Sequence, residues 1–68
     1  MDNVIASQQL QVERKHFHIE FCENERGRFL RITEESHGRR NHVIVPSTGL
    51  SDFADALEDV IEAVEQQT

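Results

Sequence analysis

The spacing of apolar residues changes period once along this chain, and that change constrains the fold more than any other feature. Up to Pro46 the apolar side chains recur at every second position, and beyond Gly49 at every third or fourth. A period of two belongs to a half-buried strand, a period near 3.6 to an amphipathic helix. In residues 15–22, Phe17, Ile19 and Phe21 are apolar and the even positions mostly polar. Residues 28–33 alternate too, with Leu30 and Ile32 on one face and Phe29, Arg31 and Thr33 on the other. His42, Val43, Ile44 and Val45 form a largely β-branched run closed by Pro46. A first strand is more weakly marked: Leu10 and Val12 alternate with Gln9 and Gln11, while residues 4–8 do not declare whether they pair or fray. Gly27 and the Ser36-His37-Gly38 segment supply turns.

Leu50, Phe53, Ala54, Leu57, Val60, Ile61 and Val64 then trace a single helical stripe, with Thr48 or Ser51 as candidate caps and Asp52 and Asp55 suited to its positive end. The expected architecture is α+β: one domain over residues 1–68, with antiparallel strands at about 4–13, 15–23, 28–35 and 40–46 and a helix at about 50–66. The helix is expected to lie across Phe17, Ile19, Phe21, Leu30 and Ile32. The opposite face then carries His16, His18, Glu20, Cys22, Phe29, Arg31 and Thr33.

The core such a chain can build is small. It has 68 residues, 37% of them hydrophobic, with four Phe and no Trp or Tyr. Below about 70–80 residues a core rarely contributes more than ~3–5 kcal/mol without help. Cys22 is the single cysteine, so no disulfide forms within the chain, and no Cys/His cluster has structural zinc spacing. Self-association is the remaining aid, and one helix over four strands leaves room for a second copy as lid. A lone thiol suits a reducing interior. The first residues lack the basic segment of a signal peptide, and no apolar run approaches the ~18 residues of a membrane span. A cytoplasmic or otherwise intracellular chain is expected, in the nucleoid or nucleus if it serves genes.

The formal charge is −6 and the pI near 5.0, which taken globally disfavours nucleic acids and anionic membranes. The charge is unevenly placed, however. Residues 49–68 hold six acids and no base, whereas residues 1–48 hold seven of each. The negative charge belongs to the outer face of the helix, a solvated surface or a site for a basic partner. At a layer spacing of ~10 Å, about one Debye length, it would blunt rather than abolish anion binding on the sheet.

Phe29 is the most informative residue. An aromatic between Arg28 and Arg31 on an open sheet is a platform for unpaired bases; equally, it could be part of a dimer core. His16 and His18 share a strand face but lack further ligands, so no metal or cofactor is expected. Cys22 reads as an outer-face or interface thiol. Neighbours Glu34 and Glu35 point to opposite faces, and Ser36-His37 lacks a third catalytic member. Neither an enzyme nor a small-molecule substrate is expected.

The run Lys15-x-Phe17-x-Ile19-Glu20-x-x-x-Asn24-x-Arg26-Gly27-Arg28-Phe29-Leu30-Arg31-Ile32, with Val43-Ile44-Val45-Pro46 and Phe53-x-x-x-Leu57 after it, resembles one repeat of the Pur-alpha family of single-stranded DNA- and RNA-binding proteins. Its most specific part is Asn24-x-x-Gly27-Arg28-Phe29-Leu30. The resemblance implies a ββββα repeat that pairs with a second, helices exchanged, into a whirly-like module; with one repeat here, it implies a homodimer. It also implies nucleic-acid contacts from Lys15, His18, Asn24, Arg26, Arg28, Phe29, Arg31, Arg39 and Arg40, with Phe29 stacking on or between bases. Cys22-Glu23 replace a frequent Lys-Gln, His18 and Glu20 stand at family Tyr and Asp positions, and Glu25 adds an acid beside Arg26. These departures predict weak, salt-sensitive binding. The expected function is purine-rich single-strand binding in gene regulation. The alternative is a non-catalytic dimeric adaptor that works through its acidic helices.

Overall fold

The computed structural model describes residues 1–67; Thr68, the last residue of the expected domain, lies outside them. Four strands form one antiparallel meander in the order β1-β2-β3-β4: β1 Asn3–Val12, β2 Lys15–Asn24, β3 Gly27–Ser36 and β4 Arg39–Pro46. A single 3-10 turn, η1 Ser47–Gly49, leads without a loop into the helix α1 Leu50–Gln66. Element types and order match the expected ββββα arrangement.

Each hairpin closes on two residues, and the backbone there explains why. Asn24 pairs with Gly27, and the Asn24 Oδ1 accepts the backbone N–H of Arg26 at 2.9 Å, an Asx turn. Gly27 then takes φ +135°, a conformation that side chains disfavour. At the β3–β4 turn His37 and Gly38 both have positive φ, 52° and 77°, the pattern whose twist suits a two-residue hairpin.

The register assigns the faces. Phe17, Ile19 and Phe21 lie opposite Glu34, Ile32 and Leu30, and these in turn opposite Asn41, Val43 and Val45. This is the apolar face. The other, mixed face carries His18, Glu20 and Cys22 opposite Thr33, Arg31 and Phe29, then His42, Ile44 and Pro46. Residues 4–8 pair as strand, and the reason their pattern hides this is a bulge. The β1–β2 register shifts between Val4 and Ala6, so Ile5 is the extra residue and side-chain phase reverses there. Ala6 lies opposite Phe21 on the apolar face, Val4 opposite Cys22 on the mixed one.

Three expectations are corrected. The helix does not lie over its own sheet. Its main neighbours are η1 and β4, none of its residues is buried, and Leu57, Val60 and Ile61 of its stripe are 52%, 61% and 46% exposed. The direct passage from Pro46 through one 3-10 turn leaves no loop to fold α1 back onto β2 and β3. The helix is also uncapped by a side chain: Gly49 is at the N-cap, because Thr48 is taken up in η1 and Ser51 already lies within the first turn. Finally, Cys22 is fully buried rather than an outer-face thiol, covered between Val4 and Phe29 on the adjacent strands.

The chain is accordingly extended. Its radius of gyration is 13.9 Å, whereas a compact chain of this length has about 11 Å. Cys22, Thr33 and Val45 are the buried residues among those described. Among the described residues no helix is long and apolar enough to cross a membrane.

A Cβ on Gly27 would meet nothing within 4 Å, so its substitution tests backbone conformation and not sterics. Gly27→Ala should destabilise the fold by about 1–2 kcal/mol in urea denaturation; an unchanged midpoint would show that the turn relaxes at no cost.

Candidate nucleic-acid interface

The mixed face forms an open concavity of about 910 Å³ toward the β2–β3 turn. Of the residues expected from sequence, Asn24, Arg26, Arg28, Phe29, Arg31 and Arg40 border it. Phe29 is half-buried in its wall, opposite Pro46 on β4 and Cys22 on β2. Ile44 and Pro46 extend the apolar floor beside it, two contacts that sequence reasoning left unassigned. The signal was present, since both lie at even positions of β4, but only the register puts them beside Phe29 and Arg31.

Three expected residues stand apart. Lys15 begins β2 and Asn24 ends it, so they are separated by about 30 Å at ~3.3 Å per residue. Lys15 also belongs to the apolar side of the alternation, where its Nζ pairs with Glu34 at 2.6 Å. Arg39 begins β4 opposite Ser36, on the apolar side of the alternation. His18 is on the mixed face between Gln9 and Thr33, its ring 4.6 Å from that of His16. Neither Arg39 nor His18 borders the concavity.

The charges here are largely paired across strands. Arg28 Nε donates to Glu23 at 2.9 Å, Arg40 Nε lies 3.2 Å from Glu35, and Arg31 is shared between two acids. Its Nε donates to Glu20 at 3.1 Å and its Nη1 to Asp2 at 3.3 Å. The hydrogen bond that Arg31 donates to Glu20 is the main reason its guanidinium is held above its ordinary pKa, against an opposing effect of burial. Arg14, Arg26 and Arg39 join no ion pair among the described residues. Arg26 is therefore the uncommitted cation beside Phe29. Sequence reasoning saw the acids but not their partners, because the partners come from neighbouring strands or, for Asp2 and Arg31, from still further apart in the chain. Glu34 and Glu35 do face opposite ways, one to Lys15 and Asn41 and the other to Arg40.

An aromatic with an amide, an unpaired guanidinium and a shared one around it offers stacking together with phosphate and base-edge contacts. Comparison with known proteins agrees with this geometry. The PurA single-stranded DNA- and RNA-binding protein family matches residues 1–68. The chain belongs to the PurA family. It is 39% identical over 66 residues to transcription factor Pur-alpha 1 of Arabidopsis thaliana, covering 97% of this chain and 22% of that protein. To the human transcriptional regulator Pur-beta it is 32% identical over 59 residues, covering 85% and 19%. To human purine-rich element-binding protein gamma it is 27% identical over 73 residues, covering 88% and 21%. This PurA-family chain thus spans about a fifth of the length of the curated relatives it matches.

Glu34 provides a local test of the ion pairs. Hydrogen bonds from Lys15, then from Asn41, hold its carboxyl below the usual glutamate range. A lowered native pKa contributes stability above the unfolded value, and that contribution disappears as pH falls through the native one. In an NMR pH titration Glu34 should protonate below the usual glutamate range, and Lys15→Ala should move it back up. An unchanged Glu34 titration in Lys15→Ala would show that the pair is not formed in solution.

Proposed function

We propose that this PurA-family chain binds single-stranded, purine-rich DNA or RNA along its mixed face as a homodimer, acting in gene regulation inside the cell. The observation that carries the reading is Phe29, set in the concavity beside the uncommitted Arg26 and the amide of Asn24. Phe29, with Ile44 and Pro46 as the adjoining floor, takes the base faces. Arg26 and Arg31 take phosphates, Asn24 a base edge or phosphate, and Arg28 and Arg40 add charge once their carboxylates yield. His18 extends the track toward the other end of the sheet, whereas Lys15 and Arg39 lie on the apolar side of the alternation and reach it only from the sheet's margin. Binding proceeds without catalysis, cofactor or metal. Relatives named transcription factor or transcriptional regulator support the regulatory role, and through it the intracellular setting.

The dimer is supported by two apolar surfaces that one chain leaves uncovered. The stripe of α1 is exposed from Phe53 to Val64, and among the described residues the sheet's apolar face around Phe17, Ile19, Phe21, Leu30 and Ile32 is only half-buried. The helix, 17 residues at 1.5 Å, is about 26 Å long, and strands of 10 residues run about 33 Å. Exchange of helices between two copies lays each stripe on the other's sheet. The residues 1–68 then constitute one repeat of a two-repeat module.

Fluorescence anisotropy with a labelled purine-rich single strand at low and physiological salt tests the binding reading; no binding even at low salt defeats it. Phe29→Ala should weaken affinity at least fivefold, in keeping with about 1–3 kcal/mol per stacked base. Arg26→Ala should weaken it more modestly and make the slope of log K against log salt shallower by about 0.7. For the dimer, Leu57→Asp should shift sedimentation to monomer and lower the melting temperature, which in the wild type should rise with concentration. A stably folded wild-type monomer at micromolar concentration would refute the dimer.

A further inference from the structure

We propose that Asp2 is an intramolecular competitor for nucleic acid, a carboxylate that occupies Arg31 and Asn24 and must leave when a phosphate or base edge arrives. The inference rests on the binding reading above and adds a regulatory contact to it. Both Asp2 oxygens are engaged: Oδ1 accepts from Asn24 Nδ2 at 3.1 Å, and Oδ2 from Arg31 Nη1 at 3.3 Å. One carboxylate thereby satisfies the amide and the guanidinium on the floor of the concavity, each a donor to oxygen and each suited to a phosphate.

The bulge at Ile5 is what delivers it. Along an unbroken strand Asp2 would share the face of Ala6 and Leu10, the apolar one. The extra residue reverses the phase, so Asp2 reaches the mixed face with Val4. Arg31 then stands between Asp2 and Glu20, and the three groups together carry one negative charge, which repels an approaching phosphate. The two acids are not equivalent. Glu20 lies within β2 and is 26% exposed, whereas Asp2 precedes β1 and is 38% exposed. A ligand can displace Asp2, which lies outside the strand pairing, without disturbing the sheet, and it exchanges one anion for another on Arg31. Glu20 stays and keeps the guanidinium oriented.

The test uses the full chain and a fluorescein-labelled purine-rich single-stranded DNA at low salt. Asp2→Asn removes the charge but keeps an oxygen for Asn24, and it should bind about two- to fivefold more tightly than wild type, the scale of an exposed ion pair. Asp59→Asn removes the same charge from the outer face of α1 and should leave affinity within error. By NMR, adding the DNA to wild type should shift the Asn24 side-chain amide signals, as Asp2 leaves, in the direction that Asp2→Asn shifts them without DNA. Equal or weaker binding by Asp2→Asn, with wild type binding normally, overturns the competitor and leaves the binding reading intact. An equal gain from Asp59→Asn overturns it as well, since net charge would then be the cause. No binding by wild type or by either variant defeats the nucleic-acid reading and the competitor with it.

Discussion

The register of the β2–β3 hairpin is the constraint on which the rest of the molecule depends. Because side chains alternate with a period of two, a slip of one residue would exchange the faces of everything downstream. Three local features prevent it: the Asn24 side chain bonded to the Arg26 N–H, the positive φ of Gly27, and the match of Phe21 with Leu30 and Ile19 with Ile32. With that register, Phe29 falls opposite Cys22 and closes over it, and Arg31 falls opposite Glu20. The concavity, its aromatic wall and its main ion pair are all consequences of one turn. The same segment, Asn24 to Phe29, carries the most specific family signature, so the residues that set the strand register are also those that line the site.

Charge is apportioned by the same geometry. Four of the seven basic residues, Lys15, Arg28, Arg31 and Arg40, meet carboxylates across strands or at the chain's start. Paired cations still attract phosphate, but only by exchange, and exposed pairs are worth little and are readily screened. Such a surface favours modest affinity led by stacking. The net charge of −6 obscures this, since six of the 13 acids belong to a helix that projects away from the sheet.

The uncovered helix and the uncovered apolar face are two halves of one problem. A chain in which Cys22 alone is fully buried among the described residues has little core of its own, and helix stripes are stabilised chiefly by packing against something. The amphipathic pattern of α1 says that it packs; the passage from Pro46 through η1 says that it does not pack on β2 and β3 of its own chain. The second copy proposed above would cover both.

Local pattern was enough to read the four strands, the helix, their order and the turns, because alternation and turn chemistry act over a few residues. Phe29 stood out as a candidate from its place between two arginines, and Asn24 and Arg26 from the family resemblance; the fold brings all three to one concavity. The phase reversal at Ile5 was not, since Val4, Ile5 and Ala6 are consecutive apolar residues with no period to break. Ile44 and Pro46 became neighbours of Phe29 only through the β3–β4 register. The burial of Cys22, the course of the helix off its own sheet, and the placement of Asp2 on Arg31 were likewise decided by tertiary structure. Each depends on which strand lies alongside or where a connection points, and that is set by pairing between residues as much as 29 apart in the chain. The sequence by itself therefore determined which elements form and which face of each is apolar; the assembled sheet decided which charges are neutralised and what remains uncovered.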